Sequence, residues 1–340
     1  MGFKEFQKLN LSEGDILNFI FQAYNGSVPE SQYWDIDTFV NFVQSQINIQ
    51  GVVNALNTVN GDLKQNGNLV FVSPEGMVVG ASGVLNVGSL NVFTPSTDAY
   101  NTLTSGLGTV PPVNDMNQQM GEPTDKTWNP NDSALYTGGA PIQIDGKIFA
   151  RGDVELSGGQ IAVGNTGTLI AGLGGDAEST VLANADAAEV LFNQLVSTDN
   201  MTIGNAFANS NGEIKITSSQ GTSVAEGGAI RNFATNNSTT TITNNGTGGI
   251  NINGEVSNPN GTMTITNNAG ALNVGTSGEL KNKGDMTVVG QNSSTGVTIN
   301  GTATNDGDMV IKNASGSNGL KIGGKVTNNT GSAQILNNNG

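Results

Sequence analysis

The chain has 340 residues, 48 Gly, no Cys, no His and a formal net charge of −15. That charge excludes the Lys/Arg-rich surfaces that neutralise nucleic-acid phosphates or anchor a chain on acidic lipid. Without Cys or His there are no disulfides, thiolate nucleophiles, Ser-His-Asp triads or zinc–thiolate sites, so no cofactor is expected.

The remaining composition is 36% hydrophobic, with 47 Asn, 34 Thr and 25 Ser. The apolar residues fall in short alternating runs separated by Gly and Asn, the pattern of β structure with many tight turns. No apolar run is long enough to span a bilayer, so no membrane insertion is expected. The opening Phe3–Lys8 alternates polar and apolar residues and does not read as a signal peptide.

In chain order, the first predicted strands are Ile47–Val52 and Asn68–Val72. A corner follows at Ser73-Pro74-Glu75-Gly76, where Pro74 presets φ and Gly76 supplies positive φ for a type I or II turn into Met77–Val79. The run Gly83–Val92 reads as one strand. Residues 95 to 140 hold five of the nine Pro and little periodicity, so an excursion is expected there. Strands resume at Ile142–Ala150, Val154–Leu156 and Gln160–Val163. Between them, Arg151-Gly152-Asp153 matches the integrin-binding tripeptide, but a two-residue corner is too rigid for that use. Gly172-Leu173-Gly174-Gly175-Asp176 lacks the Lys of a phosphate loop and the repeated Asp of a calcium repeat, and reads as a plain loop. Ala187, Val190, Leu191 and Leu195 have helical spacing, predicting one short helix at about 184–196.

From about residue 240 the chain repeats. Thr240, Met263, Met286 and Met309 each open a strand, at a spacing of 23. Each unit continues with a second strand (Ile250–Ile252, Leu272–Val274, Val297–Ile299, Leu320–Ile322). A third surrounds Val256, Leu280, Ala303 or Val326 and ends at Asn258, Asn282, Asn305 or Asn328. Three short strands per 23 residues define a β-solenoid, in which each coil pairs with the coils above and below. Asn at one corner of successive coils is expected to stack as an amide ladder. No Asp or Glu is expected at matching positions of adjacent coils, and Asp285, Asp306 and Asp308 read as solvated turn residues. The sequence stops partway into a further repeat, which predicts continuation as a fibre.

The segments Ile47–Ala55 and Gly67–Gly80 resemble the N-terminal secretion domain of filamentous haemagglutinin-type exoproteins of two-partner secretion, in particular the large adhesins and leukotoxins of anaerobic diderm bacteria. Ser73-Pro74-Glu75-Gly76-Met77 stands where that family carries Asn-Pro-Asn-Gly-Ile, and keeps its Pro and Gly. Phe6–Asp15 resembles the family's capping start. Ile144–Ile148 with Thr166–Gly172 resembles its closing coils, so the resemblance spans roughly residues 3 to 205. It implies an all-β chain folded as a right-handed parallel β-helix. It also implies export through an outer-membrane pore protein and a role in attachment from the cell surface. On this reading residues 1–205 are the secretion domain, with Asn68, Ser73, Pro74, Glu75, Gly76 and Met77 as its secretion and folding motif. Residues 206–340 begin the repetitive shaft, the chain acts as a monomer, and its partners are the pore and a host glycan or protein.

Two alternatives stand beside this reading. One is a glycan-binding head, in which the 95–140 excursion offers Trp128 or Tyr136 as a stacking surface. The other is a β-helical polysaccharide lyase or hydrolase, which would need paired carboxylates. With two Arg in the chain and no recurring acidic pair expected, a non-enzymatic protein is the preferred expectation.

Overall fold

A computed structural model describes residues 2–21, 37–59, 62–65, 67–105, 129–174, 211–291, 296–314 and 319–338. The chain winds as a parallel β-helix. Among the described residues every strand pairing is parallel except the hairpin between Val52–Val59 and Asp62–Gln65. One face stacks Gly2–Phe6, Thr38–Val43, Asn68–Val72 and Ser89–Phe93 onto the first part of Val154–Val163. It continues through Asn211–Val224, Asn236–Asn244, Gly261–Asn267, Met286–Gly290, Met309–Asn313 and Ala333–Asn337. Short Ile-x-Ile strands such as Ile47–Ile49, Ile142–Ile144 and Ile250–Ile252 make the second face. A third, 11-stranded sheet runs from Ile16–Ile20 to Lys325–Asn328.

Alternation sets which side chains enter the core, because successive residues of a strand point to opposite faces. Stacking then places each inward residue on its equivalent one coil away. Met263, Met286 and Met309 stand in register, as do Ile265, Val288 and Ile311, and all six are fully buried. The 23-residue coil is thus the structural repeat, and the strand positions inferred from it are observed.

The expected amide ladders are present. Asn282 Nδ2 donates to Asn305 Oδ1 at 2.8 Å, and Asn305 Nδ2 donates to Asn328 Oδ1 at 3.1 Å. A second column runs through Asn244 and Asn267 (2.7 Å), then meets Gly290, and resumes at Asn313. Gly290 supplies no amide, and the buried Asn313 Oδ1 has no partner. Substituting Gly290→Asn is therefore expected to complete the column and stabilise the fold by about 1 kcal/mol, one net buried hydrogen bond. Thermal denaturation checks this; an unchanged or lower melting temperature would contradict it. A third ladder, Asn18–Asn54–Asn86, lies outside the repeats, with links of 3.0 and 2.8 Å.

Several strand expectations need amendment; Ile142–Ala150, for instance, is two strands, Ile142–Ile144 and Lys147–Ala150, in different sheets. The run Gly83–Val92 is not one strand but two, Val84–Val87 and Ser89–Phe93, which belong to different sheets. The chain turns at Gly88, whose N–H reaches back to Gly67 O at 2.8 Å. Conversely, Val154–Val163 is continuous, bridging two faces through an irregularity at Gly158–Gln160. The segment 184–196 lies outside the described residues. The described helix is Thr97–Thr104, capped by the Ser96 side chain accepting from Ala99 N at 3.3 Å.

That helix belongs to the excursion, whose ends are tied down. Thr94 Oγ1 donates to Ala140 O at 3.0 Å, and Ser96 N donates to Thr137 Oγ1 at 3.2 Å. Beneath it lies a second, outer core. The outward-facing Val40, Phe42, Val70, Val72 and Phe93 pack against Tyr100 of the helix and Leu135 of the 3-10 turn Ser133–Tyr136. Phe42 and Tyr100 meet edge to face at 6.0 Å between ring centres.

Candidate functional site

The corner Ser73–Met77 is bonded to the coils on both sides. Ser73 Oγ donates to Ser45 O (2.9 Å) and accepts from Glu75 N (3.2 Å). Ser73 N donates to Phe93 O, and Met77 N donates to Pro141 O at 3.1 Å. Gly76 O accepts from Ile47 N at 3.0 Å. Gly76 has φ +90°, and its N–H closes the turn onto Ser73 O. A glycine after Pro-Glu is the residue a type I turn favours at its fourth position. Asn68 begins the preceding strand, in register with Thr38 and Ser89. Glu75 alone of the corner projects fully into solvent.

The corner is thus a three-coil splice. Ser45 and Ile47 come from the coil before it, and Phe93 and Pro141 from the coil after. None of these backbone groups is satisfied unless the coils are stacked in order, since a buried unpaired backbone group is costly.

The Arg151-Gly152-Asp153 tripeptide is held at both ends. Arg151 Nε donates to Gly174 O at 2.8 Å, and Asp153 Oδ1 accepts from Glu213 N at 2.8 Å. The N–H groups of Gly172, Leu173 and Gly174 donate to Gly152 O, Ala150 O and Arg151 O. These amides point at the neighbouring coil and are not aimed at a phosphate. Gly175 and Asp176 lie outside the described residues.

Of the two aromatic residues proposed for stacking, Trp128 lies outside the described residues. Tyr136 is engaged on several sides. Its ring meets Phe93 edge-on at 5.5 Å, and Lys215 Nζ sits 5.4 Å from the ring centre. Its hydroxyl donates to Glu155 Oε1 at 2.9 Å, and the same oxygen binds Lys215 Nζ at 2.6 Å. This cluster clamps the excursion to the solenoid. Burial pulls the Lys215 ammonium down, but the hydrogen bond and charge of Glu155 more than offset it, so its pKa is raised. Burial, then the charge and hydrogen bond of Glu155, raise the Tyr136 phenol. Both protonated forms thus favour the folded cluster. The clamp is expected to hold through neutral pH and to weaken as pH rises through the alkaline range of these two groups. A difference absorbance titration between the wild-type chain and Tyr136→Phe should place Tyr136 above an ordinary tyrosine; an ordinary value would contradict the clamp.

Sequence reasoning missed a cluster on the third sheet. Glu255 and Glu279 are directly in register on adjacent coils, contrary to the expectation that no acidic residue recurs. The 23-residue period hides the match, because this coil carries one extra residue between the two positions. Each carboxylate has its own cation: Arg231 Nη2 lies 2.6 Å from Glu255, and Lys281 Nζ lies 2.6 Å from Glu279. Arg231 is 7% exposed although it points away from the core, between Ile170 and Ser257 in the stack. Its Nε and Nη1, with Glu255 Oε1 and Ser257 Oγ, are buried without partners.

The three aspartates are more than solvated turn residues. Asp285 Oδ1 accepts from Asp308 N (3.2 Å), and Asp308 Oδ1 accepts from Ser332 N (2.7 Å). Asp306 Oδ1 accepts from Asn329 Nδ2 at 2.6 Å. Each carboxylate hooks the next coil, and the Ser332 hydrogen bonds hold the Asp308 carboxyl below the usual range. Among the described residues no group of three or more acidic side chains is placed to hold a metal ion. No helix among them is long and apolar enough to cross a membrane.

Comparison of the chain with protein-family models, with curated proteins and with solved structures finds no match.

Proposed function

We propose that this chain belongs to a secreted, surface-displayed filamentous adhesin. Its first 205 residues engage an outer-membrane pore and start β-helix folding, and the residues from 206 build the shaft. The three-coil splice at Ser73–Met77 carries the reading. A corner whose partners lie in the coils before and after it closes only when coils are laid down in order. That is the behaviour required of a chain that emerges from a pore and folds outside without ATP. Each added coil buries Ile, Val, Leu or Met, at roughly 1.5–3 kcal/mol per side chain, and so favours forward movement. The absence of Cys is consistent with threading, since a disulfide formed before export would block an extended chain. The resemblance of residues 3–205 to haemagglutinin-type secretion domains supports the same reading.

The test is a pull-down from detergent-solubilised outer membranes of the source organism, with unfolded and folded chain as separate baits. Capture of a β-barrel protein with periplasmic domains by the unfolded bait is expected. Failure of both baits to retain any barrel protein overturns the proposal.

A further inference from the structure

Outward positions of the first face form a grid of threonines. Thr239, Thr241 and Thr243 lie directly over Thr262, Thr264 and Thr266, and Thr217 and Thr287 extend the columns on either side. Their inward neighbours Ile242, Met263, Ile265 and Val288 are fully buried, which fixes the eight threonines on the outer surface. Among the described residues none of the eight hydroxyls has a hydrogen-bond partner; Thr240, on the inner side of the same strand, is buried and its Oγ1 is likewise unpartnered. The columns are spaced by the coil rise of about 4.8 Å, and neighbours along a strand by about 6.8 Å. Glu213 and Lys215 border the grid on one side, and Val289 and Val310 with Lys312 on the other. An exposed amide pair, Asn268 Nδ2 to Asn245 Oδ1 at 2.8 Å, runs along its edge.

We propose that this grid is a binding face for a neutral, unbranched, extended β-linked polysaccharide lying along the solenoid axis, with one sugar per coil. The inference rests on the reading of the chain as an attachment protein and names the surface that attaches. The threonine block contains no charge, and the chain as a whole carries −15, so acidic polymers are repelled and a neutral one is not. Each threonine offers one donor and two acceptor lone pairs, matching the hydroxyls of a sugar, and a methyl group that packs on its C–H faces. β-Branching restricts χ1, so the array loses little side-chain entropy on binding. The coil rise is close to the rise per sugar of an extended β-linked chain; successive sugars of such a chain alternate in orientation, so the same contact recurs at every second coil. A second copy of the chain fits less well. The grid measures about 14 by 14 Å, on the order of 200 Å², a small part of the roughly 800 Å² per partner of a stable interface. Two chains of −15 also repel each other.

The experiment is retention of the whole chain on insoluble β-1,4-glucan, β-1,4-mannan, β-1,4-xylan and chitin, with ice and an acidic polygalacturonate as comparison matrices. Wild-type chain is expected to be retained on at least one neutral polymer and not on the acidic one. The Thr241→Val/Thr264→Val pair keeps shape and β propensity but removes two central hydroxyls, and is expected to bind about tenfold more weakly. Thr264→Lys is expected to abolish retention, and Thr298→Val on the second face to leave it unchanged. Circular dichroism and melting temperature certify that each variant is folded. Absence of wild-type retention on every neutral polymer, or equal retention of the valine pair, overturns the proposal. Retention on ice alone overturns it too, by assigning the grid to a water lattice, and so does self-association that the valine pair abolishes. The pore pull-down does not involve these residues, so the two proposals fail separately.

Discussion

Gly76→Ala is expected to cost more than 4 kcal/mol and to leave little folded chain, whereas Gly14→Ala costs about 1–2 kcal/mol. The two glycines have nearly the same backbone angle, φ +90° and +88°. Both substitutions therefore meet the same left-handed penalty, and the difference isolates packing. A Cβ on Gly14 meets open space. On Gly76 it would enter the Pro141 carbonyl, which accepts the Met77 N–H, so the corner cannot relax without breaking its link to the next coil. Equal losses of melting temperature in the two variants would show that the splice carries no special energetic weight. If folding drives export, Gly76→Ala should also lower the amount of chain outside the cell, and Gly14→Ala should do so far less.

The second large effect is expected at Arg231 and Glu255. Arg231→Met leaves the Glu255 carboxylate buried opposite Glu279 with no cation of its own, and should cost about 3–5 kcal/mol. The double variant Arg231→Met/Glu255→Leu should recover most of that loss or exceed wild-type stability. It removes both buried charges together with the unpartnered Nε, Nη1 and Oε1 atoms. A double-mutant cycle by chemical denaturation measures the coupling. A single variant within 1 kcal/mol of wild type, or additive losses in the double, would place the pair effectively in solvent.

Much of this architecture was legible without coordinates. The Met263, Met286 and Met309 spacing located the coil, and the Ile-x-Ile strands located the inward rows. The Asn corners predicted the ladder from Asn282 to Asn328. The candidate corner at Ser73–Met77 was legible from Pro74 and Gly76, since those two residues carry the turn chemistry in themselves. Its bonds to Ser45 and Pro141 were not, because nothing local marks those partners. The Gly88 turn left only a faint mark, a one-residue slip in the alternation between Leu85, Val87 and Leu90, Val92, which the apolar density of the run conceals. The helix Thr97–Thr104 was missed because its eight residues carry few apolar side chains, and its Ser96 cap was the sole strong signal.

By itself the sequence determined the class of fold, the coil length, and which side of each repeat strand is buried. In a solenoid a residue's neighbours are its own equivalents one period away, so periodicity along the chain is already contact in space. Tertiary structure alone decided what lies where the period fails. The outer core beneath the excursion, the Tyr136–Glu155–Lys215 clamp and the Asn18–Asn54–Asn86 ladder join residues separated by irregular intervals. The Glu255–Glu279 match was concealed by a single extra residue. The threonine grid stands between these cases. Its residues lie in plain repeats, but a flat, unpartnered face exists only once parallel stacking has set them in rows.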